Sequence, residues 1–93
     1  MPDYNKNRAD EKRKVVAEYK VKQGCVDCGY NAHAAALEFD HLPNSGKIKS
    51  VASLMYASWD VIWAEIAKCE VVCSNCHSIR THQRAVDNKN LAK

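Results

Sequence analysis

The chain has 93 residues, a net charge of +3 and five cysteines. A single domain of this length buries only about 60–70% of its unfolded surface, so its core is marginal and a staple is expected. No stretch reaches the roughly 18 apolar residues of a membrane span, and the opening MPDYNKNRADEKRK has no apolar segment of the signal-peptide kind. A cytoplasmic location is expected, where cysteines serve metal or thiol chemistry rather than disulfides.

Residues 6–22 lack Gly and Pro and are rich in helix formers, which predicts a helix ended by Gly24. Val15, Val16 and Tyr19 give it a short apolar stripe. CVDCGYNAH, residues 25–33, reads as a knuckle and turn. AALEFDH then offers a strand over 35–41. By alternation, Leu37, Phe39 and His41 share one side and Glu38 and Asp40 the other. His41 is accessible only if the strand twists or ends there. LPNSGKIK, residues 42–49, is a loop of turn residues. A short helix is expected over 50–57. Ser58 is the expected cap of a clearer helix over 59–68, whose Trp59, Ile62, Trp63 and Ile66 form a core-facing stripe. A second strand is expected over 70–73. Ser74 is placed to cap a last helix over 75–86, and the tail NKNLAK is expected to fray.

Two CxxC pairs, Cys25 with Cys28 and Cys73 with Cys76, are suited to one tetrahedral thiolate site, because each turn aims two sulfurs at one point. The 44 residues between Cys28 and Cys73 must loop out as a subdomain. Such a closed site is a folding element. A redox CxxC normally needs a βαβ context that is missing here. Cys69 is the odd cysteine and reads as a small core residue.

The zinc clamp also fixes His77, which follows Cys76 directly, and so can bring it near the end of the first strand. Asp40 with His77 is a ligand set for a divalent metal with open water positions. His41, facing the other way, is then free to take a proton from water. The plainer alternative is that Asp40 and His41 are surface residues at a strand end. The basic residues gather at the chain ends: residues 1–22 hold seven Lys or Arg against four acids, and residues 78–93 hold four against Asp87 alone. This suits a polyanionic partner, although solvated helix faces produce the same pattern.

These motifs together resemble the HNH, or ββα-metal, nuclease family, over residues 24–82. The match lies in CVDCGYNAHAAALEFDH, residues 25–41, and KCEVVCSNCHSIRTH, residues 68–82. It is similar in particular to small phage-type members with a four-cysteine zinc site. The resemblance implies an α+β fold, a small zinc-stapled ββα-metal core with an added N-terminal helix. It implies one nuclease domain over 1–93: a basic helix at 1–23, the core at 24–82, and a helix end and tail at 83–93. It implies a metal-dependent DNA endonuclease. His41 matches the general base, and Asp40 and His77 the ligands of Mg²⁺ or Mn²⁺, for which Ni²⁺ or Zn²⁺ can substitute. Two positions depart from the family. Lys68 stands where the family's middle Asn orients the loop of the base. Thr81, with His82 beside it, stands where many members have a further ligand.

Lys47, Lys49, Arg80, His82, Arg84 and the N-terminal helix are expected to touch the DNA backbone, which carries affinity without sequence information. A phage-encoded protein would act in the host cytoplasm, alone, as a homodimer or with packaging machinery. The competing expectations are a non-catalytic zinc module that binds nucleic acid and a packaging adaptor.

Overall fold

A computed structural model describes residues 4–91 of the chain, and side chains over 8–89. Residues 1–3 and 92–93, with the end of the basic tail, lie outside the described residues. The uninterrupted run of helix formers becomes α1 (Tyr4–Gln23). Gly24 stops it in the left-handed region at φ 69°, donating its N–H to the Lys20 carbonyl at 2.8 Å. The core-facing stripe of α1 differs from expectation. Ala9 and Val16 are buried and Tyr19 packs on them, while Val15 points to solvent.

The knuckle then folds on itself. Gly29 takes φ 83° and donates to the Cys25 carbonyl, and Cys25 N–H donates to Tyr30 O, both at 2.8 Å. Residues 34–36 form a 3-10 turn rather than the start of a strand, so β1 is the shorter Leu37–His41. The expected helix at 50–57 is a 3-10 turn, Val51–Leu54. Next come α2 (Trp59–Ile66), β2 (Cys69–Cys73) and α3 (Ser74–Leu91). α2 is two residues shorter than expected, and Cys69 belongs to β2. α3 continues through the stretch expected to fray. Neither Ser58 nor Ser74 acts as a side-chain cap: Ser58 makes no such bond, and Ser74 is already helical and donates to Glu38 at 3.2 Å.

β1 and β2 pair antiparallel, with Leu37 opposite Cys73 and His41 opposite Cys69. The result is a small α+β architecture of three helices and a two-stranded sheet. A sheet this narrow is marginal alone, so its two faces are covered. One core cluster lies between α1, the Val51–Leu54 turn and α2, centred on Ile62 and Ile66. The other lies at the cysteine end of the sheet, centred on Leu37 and Val72. Tyr19 and Phe39 join them, their rings stacked at 6.2 Å. Ile62, Leu37 and Val72 are fully buried, and each such side chain contributes roughly 1.5–3 kcal/mol. No helix among the described residues is long and apolar enough to cross a membrane.

Candidate functional site

The register explains how the four cysteines meet. Cys73 ends β2 opposite the start of β1, Cys76 lies in the first turn of α3, and the knuckle is tied to β2 by Val26 N–H to Val71 O at 2.9 Å. The sulfurs of Cys25, Cys28, Cys73 and Cys76 all lie within 4.8 Å of one another. Among the described residues this is the only group of three or more Cys, His, Asp or Glu that close together. The Cys28 and Cys73 sulfurs are 3.7 Å apart. A zinc tetrahedron with 2.3 Å bonds places its sulfurs roughly 3.8 Å apart, so the donor set fits a zinc ion.

Electrostatics point the same way. Burial raises the Cys25 thiol, but N–H groups of Cys73, Cys28 and Asp27 outweigh it and hold the group at about 6. The bond with Cys73 and then burial push Cys76 up to about 12. Four crowded thiols cannot all ionise unless a cation offsets their repulsion. Cys69 stands apart: burial and then the charges of Glu65 and Asp40 push it up to about 11, and its thiol donates to the Glu65 carbonyl.

β1 carries the remaining chemistry, one set of groups on each face. Toward α3, Glu38 and Asp40 meet His77, Arg80 and Arg84, which share one side of α3 by their spacing. His77 Nδ1 lies 2.7 Å from Glu38 Oε1, and its Nε2 lies 3.5 Å from Asp40 Oδ1. Asp40 is buried, with Arg84 gripping both of its oxygens at 2.8 Å and Arg80 holding Oδ2 at 2.8 Å. Burial opposes its ionisation, but Arg84 and then Arg80 hold its carboxyl below the usual range. Arg80 also binds Glu70 and makes a two-pronged contact with Asp27 in the knuckle. The four-cysteine knuckle is thus tied by charge to Asp40.

A carboxylate only accepts, so His77 Nδ1 carries the proton shared with Glu38. With Nδ1 so occupied, Nε2 faces Asp40 either as a second N–H or as a lone pair. Glu38, Asp40, Glu70 and Asp27 share this face with Arg80 and Arg84, and the Lys20 ammonium also acts on Glu38.

Toward α2, His41 follows the parity argument and turns inward. Its Nε2 lies 2.7 Å from Glu65 Oε2, and its side chain is only 11% exposed. β1 ends at His41, as its accessibility required, but no free ring results. Glu65 is buried, and it also accepts Ile48 N–H at 3.1 Å and Lys68 Nζ at 3.0 Å. Burial alone would raise its carboxyl; Lys68, the Ile48 N–H and His41 outweigh this and hold it at about 2. Lys68 donates again to Gly46 O at 2.9 Å. It therefore ties the loop after β1 to α2.

Asp40, His41, His77 and Lys68 are therefore gathered around one strand. Thr81 and His82 border an open cleft beside Glu38 and His77. Lys47 and Lys49 are exposed, as is His82, whereas Arg80 and Arg84 are committed to carboxylates. Sequence reasoning missed the partners Glu38 and Glu65. Comparison with known proteins found no matching family model, no similar curated protein and no matching solved structure.

Proposed function

We propose that the protein is a metal-dependent DNA endonuclease, with a structural zinc ion in the four-cysteine cluster. The observation that carries this reading is His77, braced through Nδ1 by Glu38 with Nε2 turned to Asp40 at 3.5 Å. A histidine that donates one ring N–H to a carboxylate, with the other nitrogen beside a second acidic ligand, is the usual arrangement of a metal-ligating imidazole.

Asp40 and His77 would hold Mg²⁺ or Mn²⁺. Such an ion supplies charge neutralisation at a phosphate and its leaving oxygen. His41 is the proton acceptor. It takes a proton from water as the water oxygen bonds to phosphorus and the P–O bond to the leaving sugar oxygen breaks. The sugar oxygen is then protonated from solvent. Asp40 and His41 are consecutive residues at the end of β1, so the two groups flank the same strand end. Lys47, Lys49 and His82 are exposed and suited to phosphate contact.

One observation favours a second reading. Both oxygens of Asp40 are bonded to arginine, and Nε2 of His41 to a buried glutamate. A non-catalytic zinc module that binds nucleic acid, or a packaging adaptor, needs nothing more from these groups. The two readings part in a plasmid assay with Mg²⁺ or Mn²⁺. The endonuclease converts supercoiled to relaxed circle; EDTA abolishes the conversion and His41→Ala slows it by roughly 10²–10⁴-fold. No cleavage at any divalent metal concentration supports the binding module, and equal nicking by His41→Ala removes His41 from the mechanism.

A further inference from the structure

The carboxylate Glu65 belongs to none of the sequence motifs, yet it holds together three pieces of the chain. Its Oε2 meets His41 at the end of β1 and Ile48 N–H in the following loop, and its Oε1 meets Lys68 just before β2. Only 4% of its side chain is exposed. A buried carboxylate with this many donors stays ionised at neutral pH and can only accept. The atom facing it on His41 must therefore be an N–H. A neutral imidazole has one N–H, so proton placement on Nε2 leaves Nδ1 as the lone-pair nitrogen. Nδ1 has no hydrogen-bond partner among the described residues, and it is not among the atoms sealed from solvent without one.

We infer that Glu65 is the positioning residue for His41: it fixes the ring in the Nε2–H tautomer and presents Nδ1 as the proton acceptor. This rests on the nuclease reading for its catalytic meaning, but the tautomer itself does not. Lys68 serves the same purpose at one remove. It binds the other oxygen of Glu65 and the Gly46 carbonyl, so the carboxylate cannot swing away from the ring and the loop cannot lift off it. The roles are separable. Glu65 sets which nitrogen carries the proton, while Lys68 sets how firmly Glu65 is held.

The structural alternative is that Glu65 simply terminates buried N–H groups, with no consequence for the histidine's proton. Long-range ¹H–¹⁵N correlation spectra of the zinc-loaded protein, taken where His41 is neutral, distinguish the two. The wild type should show His41 as a single Nε2–H tautomer. Glu65→Gln retains size and a carbonyl acceptor and should keep that tautomer in part, while Glu65→Ala should give a mixture. Nicking should fall by on the order of 100-fold in Glu65→Ala, the low end of what a positioned general base contributes. That loss should appear in kcat with KM for DNA unchanged, and Glu65→Gln should recover part of it. An Nδ1–H tautomer, or an averaged one, in the wild-type spectrum overturns the inference. So does a folded Glu65→Ala variant with the wild-type tautomer. If Glu65→Ala fails to fold, the wild-type and Glu65→Gln spectra still decide. A correct tautomer in a protein that cuts nothing would remove the nuclease reading and leave the positioning role intact.

Discussion

The two faces of β1 carry the same contact in two settings. On each, an imidazole nitrogen lies 2.7 Å from a carboxylate oxygen: His77 against Glu38 toward α3, and His41 against Glu65 toward α2. Toward α3 the pair is open, with side chains 31% and 44% exposed, and a second carboxylate, Asp40, stands behind it. Toward α2 the pair is shut in, at 11% and 4%, with a lysine behind the carboxylate. On the nuclease proposal, the open pair with Asp40 beside it would receive a cation. The same pair backed by an ammonium is arranged to hold a proton in one place. What surrounds the pair decides its chemistry.

The largest effect should come from removing what sets the α3 face at all. Cys73→Ser breaks the clamp that joins the knuckle, β2 and the start of α3. Structural zinc contributes on the order of 10 kcal/mol or more of apparent binding energy, comparable to the whole stability of a small domain. Metal analysis and far-ultraviolet circular dichroism should show loss of zinc and of cooperative folding together. A well-folded, zinc-free variant would show that the α3 face is held by other means.

The next effect separates the faces by function. His41→Ala should leave zinc content and fold unchanged and slow plasmid nicking by roughly 10²–10⁴-fold. A smaller effect belongs to the arginines behind Asp40. Asp40→Asn removes the charge that pairs Arg84 and Arg80, and a buried partner left unsatisfied costs roughly 1–3 kcal/mol. Urea unfolding should report that loss, and a variant as stable as wild type would mean that solvent already screens the pair.

The gentlest probe is acid. Asp40 on one face and Glu65 on the other both ionise below their ordinary range when folded. Each therefore adds stability above its unfolded value and loses it as pH falls through its folded one. For Glu65 that window runs from the usual 4.5 down to about 2. Tryptophan fluorescence during unfolding at steps between pH 7 and 2.5 should show stability falling through this window, and Glu65→Gln should flatten the slope.

The cysteine clamp was legible because its ligands are rare residues at fixed spacing. The order of the elements and the parity of β1 were legible for a similar reason, since a strand has only two faces. Glu65 was not. It lies inside a helix whose stripe was drawn through Trp59, Ile62, Trp63 and Ile66, whereas Trp63 is 39% exposed and the buried side includes Ile62, Glu65 and Ile66. The available signal was a carboxylate three residues after Ile62, on the core side, with a lysine three residues further on. Arg80 and Arg84 misled for a different reason. Charge alone assigned them to phosphate, but they follow His77 at three and seven residues, so any contact of His77 with β1 brings them to the same carboxylates. Burial of charge depends on partners distant in the chain, which local patterns do not reveal.

The division of labour between the faces is tested most directly by nicking rate against Mn²⁺ concentration in single variants. His77→Ala should raise the Mn²⁺ concentration for half-maximal rate by about tenfold or more. His41→Ala should lower the maximal rate and leave that concentration where it was. A His77→Ala variant with the wild-type Mn²⁺ dependence would contradict a metal site on the α3 face of β1.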